Sequence, residues 1–108
     1  MNKPVIIKFI DDKTENEYMK LNRNDSLRKR IDRTIRTLKE NPTFGEPIPK
    51  RLIPNRYLDK GIDNAFWVKL NKEQRLIYSL SSEGKSLIVA IIIDWFFDHK
   101  TYERRFKY

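Results

Sequence analysis

Residues 64–80 read NAFWVKLNKEQRLIYSL, and this stretch decides the fold. Phe66, Val68 and Leu70 alternate with Trp67, Lys69 and Asn71. After residues 72–74, Leu76, Tyr78 and Leu80 alternate with Arg75, Ile77 and Ser79. Strand side chains point to opposite faces in turn, so a period of two on both sides of a short polar break predicts a β-hairpin. With Phe66, Val68, Leu70, Leu76, Tyr78 and Leu80 on a core, Lys69 and Arg75 share the other, partly open face.

Downstream, residues 81–85 contain Gly84, which accepts positive φ, and predict a second turn. Residues 87–97 are almost wholly apolar and predict a strand in the middle of the sheet. Upstream, residues 5–10 (VIIKFI) predict a first strand, ended by Asp11 and Asp12. Thr14, Tyr18 and Leu21 share one face of a short helix over residues 14–21. The next helix is better marked. Asp25 or Ser26 caps it, Leu27, Ile31, Ile35 and Leu38 form one apolar stripe, and Asn41-Pro42 ends it. Residues 43–64 hold three of the five prolines and two of the three glycines, which predicts a long loop or short irregular pieces.

The chain of 108 residues is the size of one domain, residues 1–108, with one core. The order β-α-α-β-β-β predicts an α+β fold. Two N-terminal helices pack on one face of a mostly antiparallel four-stranded sheet, followed by a short C-terminal helix or tail.

The 23 Lys and Arg against 15 Asp and Glu give a net charge of +8, and the excess is concentrated. Residues 20–39 carry eight basic and two acidic groups, and residues 99–108 carry four and one. Burying the apolar stripe of the second helix displays Arg28, Lys29, Arg30, Arg33, Arg36 and Lys39 on its other faces. Such a patch attracts polyanions by counterion release, and RNA is the candidate ligand, with Arg104 and Arg105 adding to it from the tail. A solvated helix face accounts for the same charge.

The absence of cysteine removes disulfides, thiolate metal sites and cysteine nucleophiles, and fits a cytoplasmic location. One histidine, His99, rules out a site built on two imidazoles, and the scattered glycines form no phosphate or dinucleotide loop. Asp94 and Asp98 make only a pair, short of the clustered carboxylates of a Mg²⁺ nuclease. No apolar run approaches the roughly 20 residues of a membrane helix. The expectation is a protein without metal, cofactor or membrane.

The element order, with FWVKL at 66–70, RLIY at 75–78 and DHKTYERRF at 98–106, resembles the RelE/ParE superfamily of type II toxin–antitoxin toxins. In its RelE-like and YoeB-like branches, the resemblance implies ribosome-dependent cleavage of mRNA in the A site, without a metal, and inhibition by a cognate antitoxin. It implies that Arg75 contacts the scissile phosphate and Lys69 stabilises it, with a role for Tyr102 in stacking. His99 corresponds to a C-terminal catalytic histidine and Glu46, in GEPIPK, to a catalytic glutamate. Trp67 stands where the RelE strand has a further lysine. ParE-like members of the same fold inhibit DNA gyrase instead, which leaves a non-catalytic module or an inactive RNA-binding homologue as the alternative. An acidic antitoxin segment would neutralise the basic helix and cover an apolar edge near residues 87–97. On residue type alone, His99 is a surface or capping group, Arg75 a solvated strand charge and Glu46 a loop residue.

Overall fold

The computed structural model describes residues 3–72, 74–84 and 87–96, the side chain of Phe96 excepted. They form β1 (Val5–Phe9), α1 (Asp12–Lys20), α2 (Ser26–Glu40), β2 (Glu46–Pro47), a 3-10 turn (Lys50–Leu52), α3 (Asn55–Leu58), β3 (Phe66–Lys69), β4 (Arg75–Glu83) and β5 (Leu87–Phe96). The class is α+β.

The sheet has five strands in the order β1-β5-β4-β3-β2, which corrects the expected four. The extra strand is β2, two residues inside the expected loop, pairing Glu46 with Trp67 and Pro47 with Phe66. The sheet is also mixed: β1 runs parallel to β5, Val5 opposite Ile88 through Phe9 opposite Ile92. The remaining pairings are antiparallel. β5 lies centrally, as its apolar run requires, flanked by β4 along Leu87–Phe96 and by β1 along Ile88–Ile92, so the apolar edge expected near residues 87–97 is covered by β1 over residues 88–92.

Local chemistry sets the helix ends. The Asp11 carboxylate accepts the Thr14 amide at 2.8 Å and starts α1, and Asp25 accepts the Leu27 amide at 2.7 Å and starts α2. The buried stripe of α2 is Leu27, Ile31, Thr34 and Leu38, while Ile35 is only partly buried. The Thr34 hydroxyl turns back onto the Arg30 carbonyl at 3.0 Å, which satisfies it inside the stripe. These side chains pack with Val68, Leu76, Tyr78, Ala90, Ile92 and Trp95 from the sheet, and Tyr18 and Leu21 join them. Both long helices therefore cover one face, as expected.

The opposite face is more covered than the hairpin pattern predicts. Ile48, Ile53, Tyr57 and Ile62, from the proline-rich segment, pack with Ile77 and Ile93 of the sheet, and Trp67 lies against them. Ile77 pairs with Asp94 but Tyr78 with Ile92, so Ile93 is an extra residue, a bulge that adds an apolar side chain to this second core. Asn64 fixes the hairpin from the flank, its side chain bonding both the amide and the carbonyl of Leu80 at 2.9 Å.

Candidate functional site

The β3–β4 hairpin builds the site. Its turn is closed by the Leu70 amide on the Gln74 carbonyl at 2.9 Å and by the Asn71 side chain, which accepts the Gln74 amide at 2.7 Å. This geometry sets the register that pairs Lys69 with Arg75. Directly opposed residues in an antiparallel pair share a face, so two cations meet across the ladder, an arrangement that is unfavourable in the absence of an anion.

Arg75 is oriented from two directions. Its guanidinium carbon lies 5.2 Å from the centroid of the Trp67 ring. Its Nη1 donates to the carbonyls of Asn71 at 3.2 Å, Lys72 at 3.3 Å and Gln74 at 3.2 Å. All three bonds leave from one nitrogen, so Nε and Nη2 carry no bond to a described residue. Trp67 thus acts as a platform for the arginine. Lys69 is exposed and makes no ion pair with a described residue.

Glu46 enters the same face through β2. Its partner is Trp67, one step along the face from Lys69, so the register gathers Glu46, Trp67, Lys69 and Arg75 at one end of the sheet. The turn before β2 is held from below by Tyr78, whose hydroxyl accepts the Gly45 amide at 2.9 Å and donates to the Pro42 carbonyl at 2.7 Å. Burial pushes the Tyr78 hydroxyl above its ordinary pKa, against the opposing effect of the Gly45 amide, which keeps the donated proton in place. The Tyr78 anchor has no motif signal, since Gly45 and Tyr78 are far apart in sequence.

β5 ends at Phe96, the partner of Arg75. His99, Tyr102, Arg104, Arg105, Asp98 and the expected C-terminal helix or tail lie outside the described residues.

The six cations of α2 do not form one set. Lys29, Arg33, Arg36 and Lys39 are exposed and Arg30 is half-buried. Arg28 is turned inward: it lies 4.0 Å over the Tyr18 ring, its Nε donates to Asp32 at 3.2 Å, and its Nη1 donates to the Leu21 carbonyl at 3.0 Å. Tyr18 also donates to Asp32, and burial, with Asp32 beside it, raises the Tyr18 pKa. Arg28 therefore ties α1 to α2.

A cleft of about 450 Å³ lies elsewhere, between the start of α1 and α3. Its Asp11 pairs with Lys60 at 3.0 Å, and its Asp94 with Arg56 at 3.4 Å. Asp94 is thus an ion-pair partner on the covered face. Among the described residues no group of three or more His, Cys, Asp or Glu is placed to hold a metal ion, and no helix is long and apolar enough to cross a membrane.

Compared with family models, curated proteins and solved structures, the chain matches none.

Proposed function

We propose that this chain is a RelE-like toxin of a type II toxin–antitoxin system, a ribosome-dependent endoribonuclease that cuts mRNA by attack of a 2′-hydroxyl on the adjacent phosphate. The observation that carries the reading is the cross-strand pair Lys69 and Arg75, with Glu46 on the same face. Metal-free cleavage needs cations where charge builds on the phosphorane, a base for the 2′-hydroxyl and an acid for the leaving 5′-oxygen. Arg75, held by the turn and by Trp67, binds the phosphate with its remaining donors. Lys69 supplies the second positive charge, and Glu46, an exposed carboxylate on that face, takes the role of proton acceptor, Asp94 being paired with Arg56. His99 and Tyr102, three and six residues beyond Phe96 in the chain, supply the proton donor and the stacking ring. No metal or cofactor takes part.

The exposed cations of α2, with Arg104 and Arg105, hold ribosomal RNA, and an acidic segment of a cognate antitoxin competes for them. The protein acts in the cytoplasm, where its partners are the ribosome, mRNA and the antitoxin.

One observation favours a second reading. Nη1 of Arg75 is engaged by three turn carbonyls, which also describes an arginine that holds a hairpin together. On that reading the chain keeps the fold as a non-catalytic module, inhibiting a protein such as gyrase or binding RNA without cutting it. Incubating the purified protein with programmed ribosomes and mapping mRNA ends separates the two. New 5′ ends in the A-site codon, lost in a folded Arg75→Ala variant, support the toxin; an intact message with the wild-type protein rejects it.

A further inference from the structure

We propose that the groove between α2 and the outer end of β3 binds one nucleotide of a single-stranded RNA, its base stacked on Phe44 and its flanking phosphates held by Arg30 and Arg33. The groove encloses about 140 Å³ and is lined by Arg30, Arg33, Thr34, Thr37, Phe44 and the 68–70 segment of β3. That is well below the roughly 300 Å³ at which drug-sized sites begin, and suits a single planar ring.

Several features converge on this ligand. Arg30, Arg33 and Thr37 follow i, i+3, i+7 spacing and so form one ridge of α2. The short Thr34 and Thr37 side chains bond back to the carbonyls of Arg30 and Arg33 at 3.0 and 3.1 Å. A leucine at either position would fill the space. Phe44 is an aromatic ring left 53% exposed beside this ridge. The groove lining contains cations and no carboxylate, so an anionic ligand meets no repulsion there.

The edge of β3 contributes a polar element. Leu70 directs its amide towards β4, and Ala65 directs its carbonyl towards the β2 side, where it accepts from Ile48 at 2.8 Å. Antiparallel alternation therefore aims the amide and carbonyl of Lys69 away from β4 as well. β2 pairs with Phe66 and Trp67, so no described strand meets the amide and carbonyl of Lys69. A donor and an acceptor side by side suit the hydrogen-bonding edge of a base. A duplex keeps its base faces stacked and offers none to Phe44, which selects a single strand.

The choice of RNA rests on the function proposed above, but the site does not require cleavage. Its test uses the full chain without ribosomes and so reads binding alone. Fluorescence anisotropy with a labelled single-stranded RNA of about eight nucleotides is expected to show salt-dependent binding. Phe44→Ala is expected to weaken it by about 5- to 150-fold with the salt slope unchanged, because base stacking is lost, while Phe44→Trp retains binding. Arg33→Gln is expected to reduce the slope by somewhat under one unit. Phe44 is exposed, so thermal melts of the variants should overlay the parent. On the unmodified protein, cross-linking with 5-iodouridine RNA should mark the Phe44 peptide. Equal affinity of Phe44→Ala and parent, cross-links confined to other peptides, or displacement by poly-glutamate as efficient as by unlabelled RNA would overturn the proposal. The last outcome would assign the groove to an acidic peptide.

Discussion

Tyr78 and Gly45 are fitted to each other: the Gly45 amide donates to the Tyr78 hydroxyl at 2.9 Å, and a Cβ on Gly45 would stand 2.8 Å from Cε1 of the same ring. The glycine is required by this close approach. The same Cβ would also lie 3.0 Å from the Trp67 carbonyl, which as backbone on the neighbouring strand yields little. Gly45→Ala is therefore expected to destabilise the fold by about 1–3 kcal/mol through overpacking. Tyr78→Phe keeps the ring but leaves the Gly45 amide and the Pro42 carbonyl without this partner, at a cost of about 1–3 kcal/mol. Denaturant unfolding measures both. Since Phe44 lies within the turn that Tyr78 holds and β2 follows directly, Tyr78→Phe should also lower mRNA cleavage by misplacing Glu46; unchanged cleavage would detach Glu46 from the reaction.

The opposition of Lys69 and Arg75 predicts a conflict between stability and activity. Replacing Lys69 with Gln removes a like-charge pair and is expected to raise stability by about 0.2–1 kcal/mol at low salt, with less gain at high salt. The same change should lower cleavage on programmed ribosomes. If Lys69→Gln destabilises the protein, the lysine is part of the scaffold and the pair is not poised for an anion.

The hairpin and α2 were legible because each repeats its signal. Alternation at 66–70 and 75–80 gives both strands and the shared face of Lys69 and Arg75, and the Leu27, Ile31, Leu38 spacing gives the helix. What was hidden lacks a period. β2 has two residues and α3 four, too few to display periodicity. The second core comes from Ile48, Ile53, Tyr57 and Ile62, apolar side chains at uneven spacing in a segment whose prolines point to loop. Their number in a nominal loop is the available clue that it covers a sheet. The parallel β1–β5 pairing depends on where the sheet places both ends, which no local residue records. Of the candidate site, the alternation places Lys69 and Arg75 on one face, as the register has them; Glu46 comes from the resemblance alone, and its position on that face depends on β2. The roles of Trp67 beneath Arg75, Tyr78 beneath Gly45 and Arg28 between the helices come only from tertiary contacts.

Arg28 differs from its basic neighbours in a measurable way. Its side chain is 12% exposed, bonded to Asp32 and the Leu21 carbonyl and stacked on Tyr18. Arg28→Ala is expected to lower stability clearly more than either exposed change below, through loss of its charge-assisted hydrogen bonds and its contact with the Tyr18 ring. Arg28→Lys should recover little, because an ammonium lacks the planar fork that reaches Asp32 and the carbonyl together. Lys29→Ala and Arg36→Ala, both exposed, should change stability by less than about 0.5 kcal/mol. In RNA binding the order reverses: the two exposed changes reduce the salt slope, and Arg28→Lys does not.

Acid stability should carry the signature of Asp11. The Thr14 amide, then the Thr14 hydroxyl and Lys60, lower its pKa from 3.8 to about 2. The folded value is depressed, so the ionised carboxylate stabilises the fold at pH values above the unfolded pKa. That contribution declines as pH falls from about 4 and is gone below about 2. Asp11 is partly exposed and solvent screens its ion pair, so the cap hydrogen bond sets the scale: Asp11→Ala should cost about 1 kcal/mol at neutral pH. Asp11→Asn separates charge from capping, since asparagine accepts the same amide bond. Its stability at neutral pH should fall only modestly, and the parent-minus-variant difference in denaturant unfolding should shrink as pH drops through that window. A difference that stays constant with pH would show that the carboxylate charge contributes nothing and that the cap acts through hydrogen bonding alone.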